Sequence, residues 1–136
     1  MSASNYLELG ILDHLLGGAD FTRPGTVYFA LFTSNPNETN TGAEVSGGGY
    51  ARAAVTNNST NFPAATSIST VGTKYNATAI TFPQASASWG TVTHFAIFDA
   101  STAGNMLIYG ALTTSRAVTT GDTPKFLASA FSLTAD

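Results

Sequence analysis

The sequence contains no cysteine, so neither a disulfide framework nor a thiolate metal site can form. It is also short of charge. Only 10% of its 136 residues are Asp, Glu, Lys or Arg, against about 25% in an ordinary globular domain. The five basic residues, Arg23, Arg52, Lys74, Arg116 and Lys125, stand singly along a chain of net charge −3. That leaves no basic stripe to neutralise a row of phosphates, which speaks against nucleic acid as a partner. No apolar run approaches the ~20 residues that a membrane span needs. A basic leader region is lacking at the N-terminus, and Glu8 and Asp13 break its apolar segment, so a signal peptide is not expected. The expectation is a soluble chain made in the cytoplasm, with no membrane partner.

What fills the sequence instead is apolar and neutral: 43% hydrophobic residues with abundant Ser, Thr, Asn and Ala. Such a surface relies little on electrostatics for solubility and suits a β-rich protein lying against other subunits. The length fits one domain, residues 1–136, able to bury roughly two thirds of its extended surface.

The organising stretch is 89–112. It reads as two apolar strands joined by the turn residues 99–105, where Asp99 can form an Asx-turn and Gly104-Asn105 tolerates positive φ. Strict alternation places Trp89, Thr91, Thr93, Phe95 and Ile97 on one face and Val92, His94, Ala96 and Phe98 on the other. Residues 26–33 form another strand that is apolar on both faces. Both strands therefore need two covers, one of them from the same chain or from a neighbour. Further strands are expected at 50–55, 77–82 and 125–134, with an edge hairpin inside the polar stretch 57–74. Residues 113–118 continue the central hairpin. The fold class that follows is all-β, an antiparallel sandwich or flattened barrel of seven or eight strands (26–134) with one N-terminal α-helix.

The helix is expected over 5–16. Leu7, Ile11, Leu12 and Leu15 recur at helical spacing, and Leu9 and Leu16 widen the stripe. Asn5 with Glu8 resembles a capping box, and Gly17-Gly18 supplies the stop. With Leu12 and Leu15 buried, the helix either closes one end of the sandwich or packs on a neighbouring subunit. Residues 34–49 form a long polar loop with little to bury in its own domain, and a contact role fits such length. The residues offered for contacts are Leu12, Leu15, Asn35, Asn37, Asn40, Tyr50 and Trp89.

Catalytic groups are sparse. His14 lies in the helix and suits the negative end of the dipole. His94 lies mid-strand, without the serine elbow that a Ser-His-Asp site requires. Two isolated histidines give no metal-ligand spacing, and Glu38 and Glu44 lack the alternate carboxylates of a calcium loop. Asp99 and Asp122 sit in turns that explain them. Gly47-Gly48-Gly49 lacks the Lys-Ser/Thr ending of a phosphate loop. The expectation is no catalysis, no cofactor and no metal.

Three blocks carry a resemblance: NYLELGILDHLLGG at 5–18, TVYFALFTSNPNETNTGAEVSGGGYAR at 26–52, and FPQASASWGTVTHFAIFDASTAGNMLIYGALTTSRAVTTGDTPKF at 82–126. They resemble a family of small bacteriophage structural proteins often labelled as tail fibre proteins. The resemblance implies a virion protein, made in the host cytoplasm, whose partners are copies of itself and the major capsid protein or tail proteins. Compact size and low charge favour a capsid-decorating (cement) protein. A tail fibre or tail-associated part is the alternative. A surface or carbohydrate-binding module, with Trp89, Tyr50 and Tyr109 exposed in a row, is the second.

Overall fold

The computed structural model describes residues 1–135. Its main sheet has five strands in the order β1 (Ser2–Ala3), β8 (Met106–Val118), β7 (Gly90–Phe98), β2 (Thr26–Phe32) and β3 (Ala53–Thr56), all antiparallel. A three-stranded sheet joins β10 (Ser132–Ala135), β5 (Val71–Tyr75) and β4 (Thr66–Ile68), and a short ladder pairs β6 (Ile80–Thr81) with β9 (Lys125–Phe126). None of these closes into a barrel. One helix, α1 (Asn5–Leu15), follows β1. The all-β expectation with a single N-terminal helix is met, with ten strands among the described residues in place of seven or eight.

β2 and β7 lie side by side at the centre and are apolar on both faces. On one face Phe29 meets Phe62 stacked at 6.4 Å and Phe131 edge-on at 5.3 Å, while Phe95 meets Phe126 and Phe131 at 5.6 and 5.8 Å. Centroid distances in this range are those of favourable aromatic pairs. Phe82 joins through Phe126. The phenylalanines come from β2, β7 and the segments that close over them, so this face is the main core. On the other face Ala30 pairs with Ala96 across the two strands, and the rings of Phe32 and Phe98 stack at 6.4 Å, with Met106 alongside.

Strict alternation fails in β7. The β7–β8 register shifts between Val92 and His94, and this bulge places Val92 in the same core as Trp89, Phe95 and Ile97. β8 advances five positions, from Arg116 to Ala111, where β7 advances two, from Val92 to His94, and side chains beyond such a break in pairing need not keep the alternating face. The final expected strand, 125–134, is also two pieces, and Leu127 is exposed. The cause is Asn76, which is buried. Its amide nitrogen donates to the carbonyls of Thr78 and Leu127, and its Oδ1 accepts from the Phe131 N–H at 2.9 Å. Its backbone carbonyl also accepts from Ser129 N–H. One side chain thus takes the hydrogen bonds that a continuing ladder would have used, and the chain turns inward at Phe131. The 57–74 hairpin is present as β4 and β5. Its two-residue turn places Ser69 and Thr70 at φ +49° and +73°, the signs required by a type I′ turn.

The helix starts at Asn5 as expected, but its cap lies one residue earlier than the sequence suggests. Ser4, not Asn5, is the cap, and its hydroxyl accepts from Leu7 N–H at 3.2 Å. The same hydroxyl donates to the Met106 carbonyl, and Ser4 N–H donates to Leu107, so the cap also fastens α1 to β8. At the other end Gly17 takes φ +77°, and Gly18 N–H reaches the Asp13 carbonyl at 2.8 Å, closing a Schellman turn.

Replacing Asn76 by Ala leaves the buried Phe131 N–H and the part-buried carbonyls of Thr78 and Leu127 without their partner, an unpaired buried group costing on the order of 1–3 kcal/mol. The expected loss of stability in urea unfolding is about 3 kcal/mol. A loss below about 0.5 kcal/mol would show that the turn at Phe131 holds without it.

Candidate functional site

α1 presents its apolar stripe outwards. Leu7 packs against the core and Gly10 lies against the Phe21 ring, with no space for a Cβ. His14 Nδ1 accepts from the Phe21 N–H at 3.2 Å. These three, spaced i, i+3, i+7, form the inner face. A ring nitrogen that accepts that bond carries no proton, so the Asp20 carboxylate 3.3 Å away is not its hydrogen-bond partner in the neutral ring. Leu9, Leu12, Leu15 and Leu16 are 64, 58, 71 and 79% exposed, and Ile11 and Tyr6 are also exposed. Leu12 and Leu15 are therefore not buried within the chain, which removes the reading of α1 as an end-cap. The exposed side chains lie on consecutive turns of one helix. Together they form an apolar area on the order of several hundred Å², at the upper end of what monomeric proteins leave uncovered.

The other contact candidates serve the chain's own architecture. Trp89 is 4% exposed; its indole N–H donates to the Gly48 carbonyl at 2.8 Å, and its ring meets Tyr50 edge-on at 5.3 Å. Gly48 sits at φ +57°, where a Cβ would stand 3.0 Å from the indole, so glycine is what lets the loop close on the tryptophan. Tyr50 and Tyr109 are half-buried, and no exposed row with Trp89 exists. Asn35 and Asn37 build an Asx-turn: Asn37 N–H donates to Asn35 Oδ1, and Asn37 donates onward to Thr41. Asn37 and Asn40 both take left-handed φ, a region asparagine tolerates.

The loop 34–49 is accordingly not empty of core. Val45 and Pro36 are buried, Val45 N–H bonds Leu31, Thr33 N–H bonds Ala43, and Asn5 N–H reaches Glu38. Backbone pairing with the end of β2 organises the segment, and composition alone does not reveal such pairing.

A clamp centred on Arg52 holds this loop to the 99–105 turn. The guanidinium forms two 2.8 Å bonds to the Glu44 carboxylate and donates at 2.9 Å to the carbonyls of both Ala100 and Ala103. Its carbon lies 3.6 Å from the Phe98 ring centroid. Planarity and a fork of donors allow arginine to do all three at once. The side chain is 6% exposed. Tyr50 completes the group: its hydroxyl donates to Glu44 at 2.9 Å and accepts from Leu31 N–H at 3.0 Å. Burial, with the nearby Glu44 carboxylate, pushes the Tyr50 phenol above the ordinary tyrosine range. The sequence lists Glu44 and Arg52 as isolated charges, and their eight-residue spacing across a loop gives no signal of pairing.

The other titratable candidates have local roles. Thr93 Oγ1 and His94 Nδ1 are 2.8 Å apart. Asp99 accepts from the Asn105 backbone and side chain, and Asp122 accepts from Thr119, each closing its own turn.

An antiparallel β scaffold whose polar clusters fasten loops, and whose open surface is an apolar helix, has the build of a structural protein. Comparison with known families agrees. Residues 2–134 match the family described as podophage GP4 fiber I protein gp80, and the chain belongs to that phage tail fibre-type family. No curated protein matches it.

Tyr50→Phe removes the hydroxyl and leaves Leu31 N–H unpaired, with an expected cost of about 1–3 kcal/mol. The raised phenol also has a pH signature. Above about pH 10 an ordinary tyrosine in the unfolded chain loses its proton while Tyr50 in the folded chain keeps it. Its contribution is complete below about pH 10 and lost as pH rises further. Urea midpoints across that range should fall less steeply for Tyr50→Phe than for the parent. Equal slopes would mean that the phenol is not held in this way.

Proposed function

We propose that this chain is a non-enzymatic structural subunit of a phage tail fibre, joined to its neighbours in the virion through the exposed face of α1. The family match supports the fibre assignment, and the carrying observation for assembly is the outward stripe Leu9, Leu12, Leu15 and Leu16. Leaving that much aliphatic surface in water forgoes about 25 cal/mol for every Å² that a partner would cover. Capsid decoration would use the same surface, but the family is described as a fibre protein, which favours the tail. The absence of turnover belongs to this reading as well: Asp99 and Asp122 each close a turn, His14 accepts from a backbone N–H, and Glu44 is held by Arg52 and Tyr50.

Two measurements check the proposal. Leu12→Asp with Leu15→Asp should abolish self-association or incorporation into particles. Melting should change by less than about 0.5 kcal/mol, because both side chains are exposed in the chain itself. Gold-labelled antibody on intact virions should decorate the tail. Label over the shell would replace the fibre reading with capsid decoration, and full incorporation of the double variant would remove α1 as the joint.

A further inference from the structure

β8 is thirteen residues long, yet its outer neighbour β1 pairs only with Tyr109 and Ile108. Beyond them no strand among the described residues lies on its outer edge. Thr113, Thr114, Ser115, Arg116 and Ala117 are exposed. The inner side is open too: Val92 opposes Arg116 while His94 opposes Ala111, so residues 112–115 face Thr93 alone. The sequence Leu-Thr-Thr-Ser-Arg-Ala-Val has high strand propensity, no proline and one charge, and so lacks most of the devices that keep an edge from pairing.

Beside this edge lies a recess of about 300 Å³, floored by Leu31, Phe82, Val92 and Phe126. Arg116 and Lys125 stand on its rim. Neither has an ion-pair partner among the described residues. Two of the five basic residues of an acidic chain thus converge on one open strand.

We propose that the 111–117 edge of β8 and this recess form a strand-addition site for an extended acidic-apolar segment of a partner protein. The segment's backbone supplies the missing ladder bonds, one apolar side chain enters the recess, and a flanking carboxylate meets Arg116 and Lys125. Pairing with the β8 edge of a second copy would instead bring two sets of unpartnered cations together. A small ligand could fill the recess but not the edge, which at about 3.3 Å per residue runs on the order of 20 Å. The site is separate from α1 and does not depend on where in the virion the chain sits.

The test uses the full chain and two capped eight-residue peptides. One alternates valine and glutamate around a central phenylalanine, and the other carries lysine in place of glutamate. The glutamate peptide should bind about tenfold more tightly, shifting and protecting the backbone amides of 111–117 in NMR spectra. Arg116→Glu with Lys125→Glu should invert the preference, and Lys125→Gln alone should reduce it. The proposal fails if neither peptide binds, if both bind equally, if the doubly reversed chain keeps the parent's preference, or if the shifts fall on α1. Concentration-dependent protection of 111–117 without peptide would assign the edge to a second copy instead.

Discussion

Strands β2 and β7 have no polar face, and most of the chain is spent covering them. A central pair with Phe29, Leu31, Phe95 and Ile97 on one side and Ala30, Phe32, Ala96 and Phe98 on the other cannot lie at a surface. Each large side chain brought out of water contributes about 1.5–3 kcal/mol, so both faces must be closed. The first face is closed by aromatic residues from the small sheets and their connections. The second is closed partly by a charge. Arg52 lies over the Phe98 ring, and its guanidinium is neutralised by Glu44 and capped by two carbonyls. A buried pair of this kind tolerates desolvation only because its donors are so fully used.

The same economy explains the composition. A surface rich in Asn, Ser and Thr suggests groups reserved for partners, but many of these side chains bond the chain's own backbone. Asn57 reaches Pro24, Asn58 closes a turn on Thr60 and Asn61, and Asn61 reaches Thr56. Asn76 is the buried extreme. Neutral amides can satisfy turn backbones without counter-ions, which is how loops of this length hold shape in a chain with so few charges.

This separates what periodicity reveals from what it hides. The fold class, the central hairpin, the β2 strand and the helix were legible because each is a local pattern of apolar spacing. The face assignment of Val92 was not, because a bulge depends on the partner strand and leaves no mark in its own residues. The break at 127–131 depended on Asn76, some fifty positions away. The helix stripe was read correctly as apolar, but spacing left open whether the chain itself or a neighbour covers it, since spacing gives a face and not what lies against it. Glycine at position 10 held the clue: a small residue between Leu7 and His14 lets Phe21 approach that side, turning the leucines outward. Trp89 and Tyr50 looked like contact residues because aromatic side chains serve either role. Only the Gly48 carbonyl and the Leu31 amide identify them as internal.

The uncovered surfaces share an anchor. Ser4 fixes α1 to Met106 and Leu107 at the start of β8, and β1 covers the next two positions. The open edge begins just beyond. The short strand β1 therefore protects the part of β8 nearest the helix and leaves the far part unpaired. A subunit docked on α1 and a segment added to β8 would load opposite ends of one strand, which its ladder to β7 holds at 106–111 and again at 116–118. A segment added at 112–115 would supply the ladder bonds missing there and make the pairing continuous between the two ends. For a structural protein with few charges to spare, that continuity supplies what electrostatic contacts would otherwise have to provide.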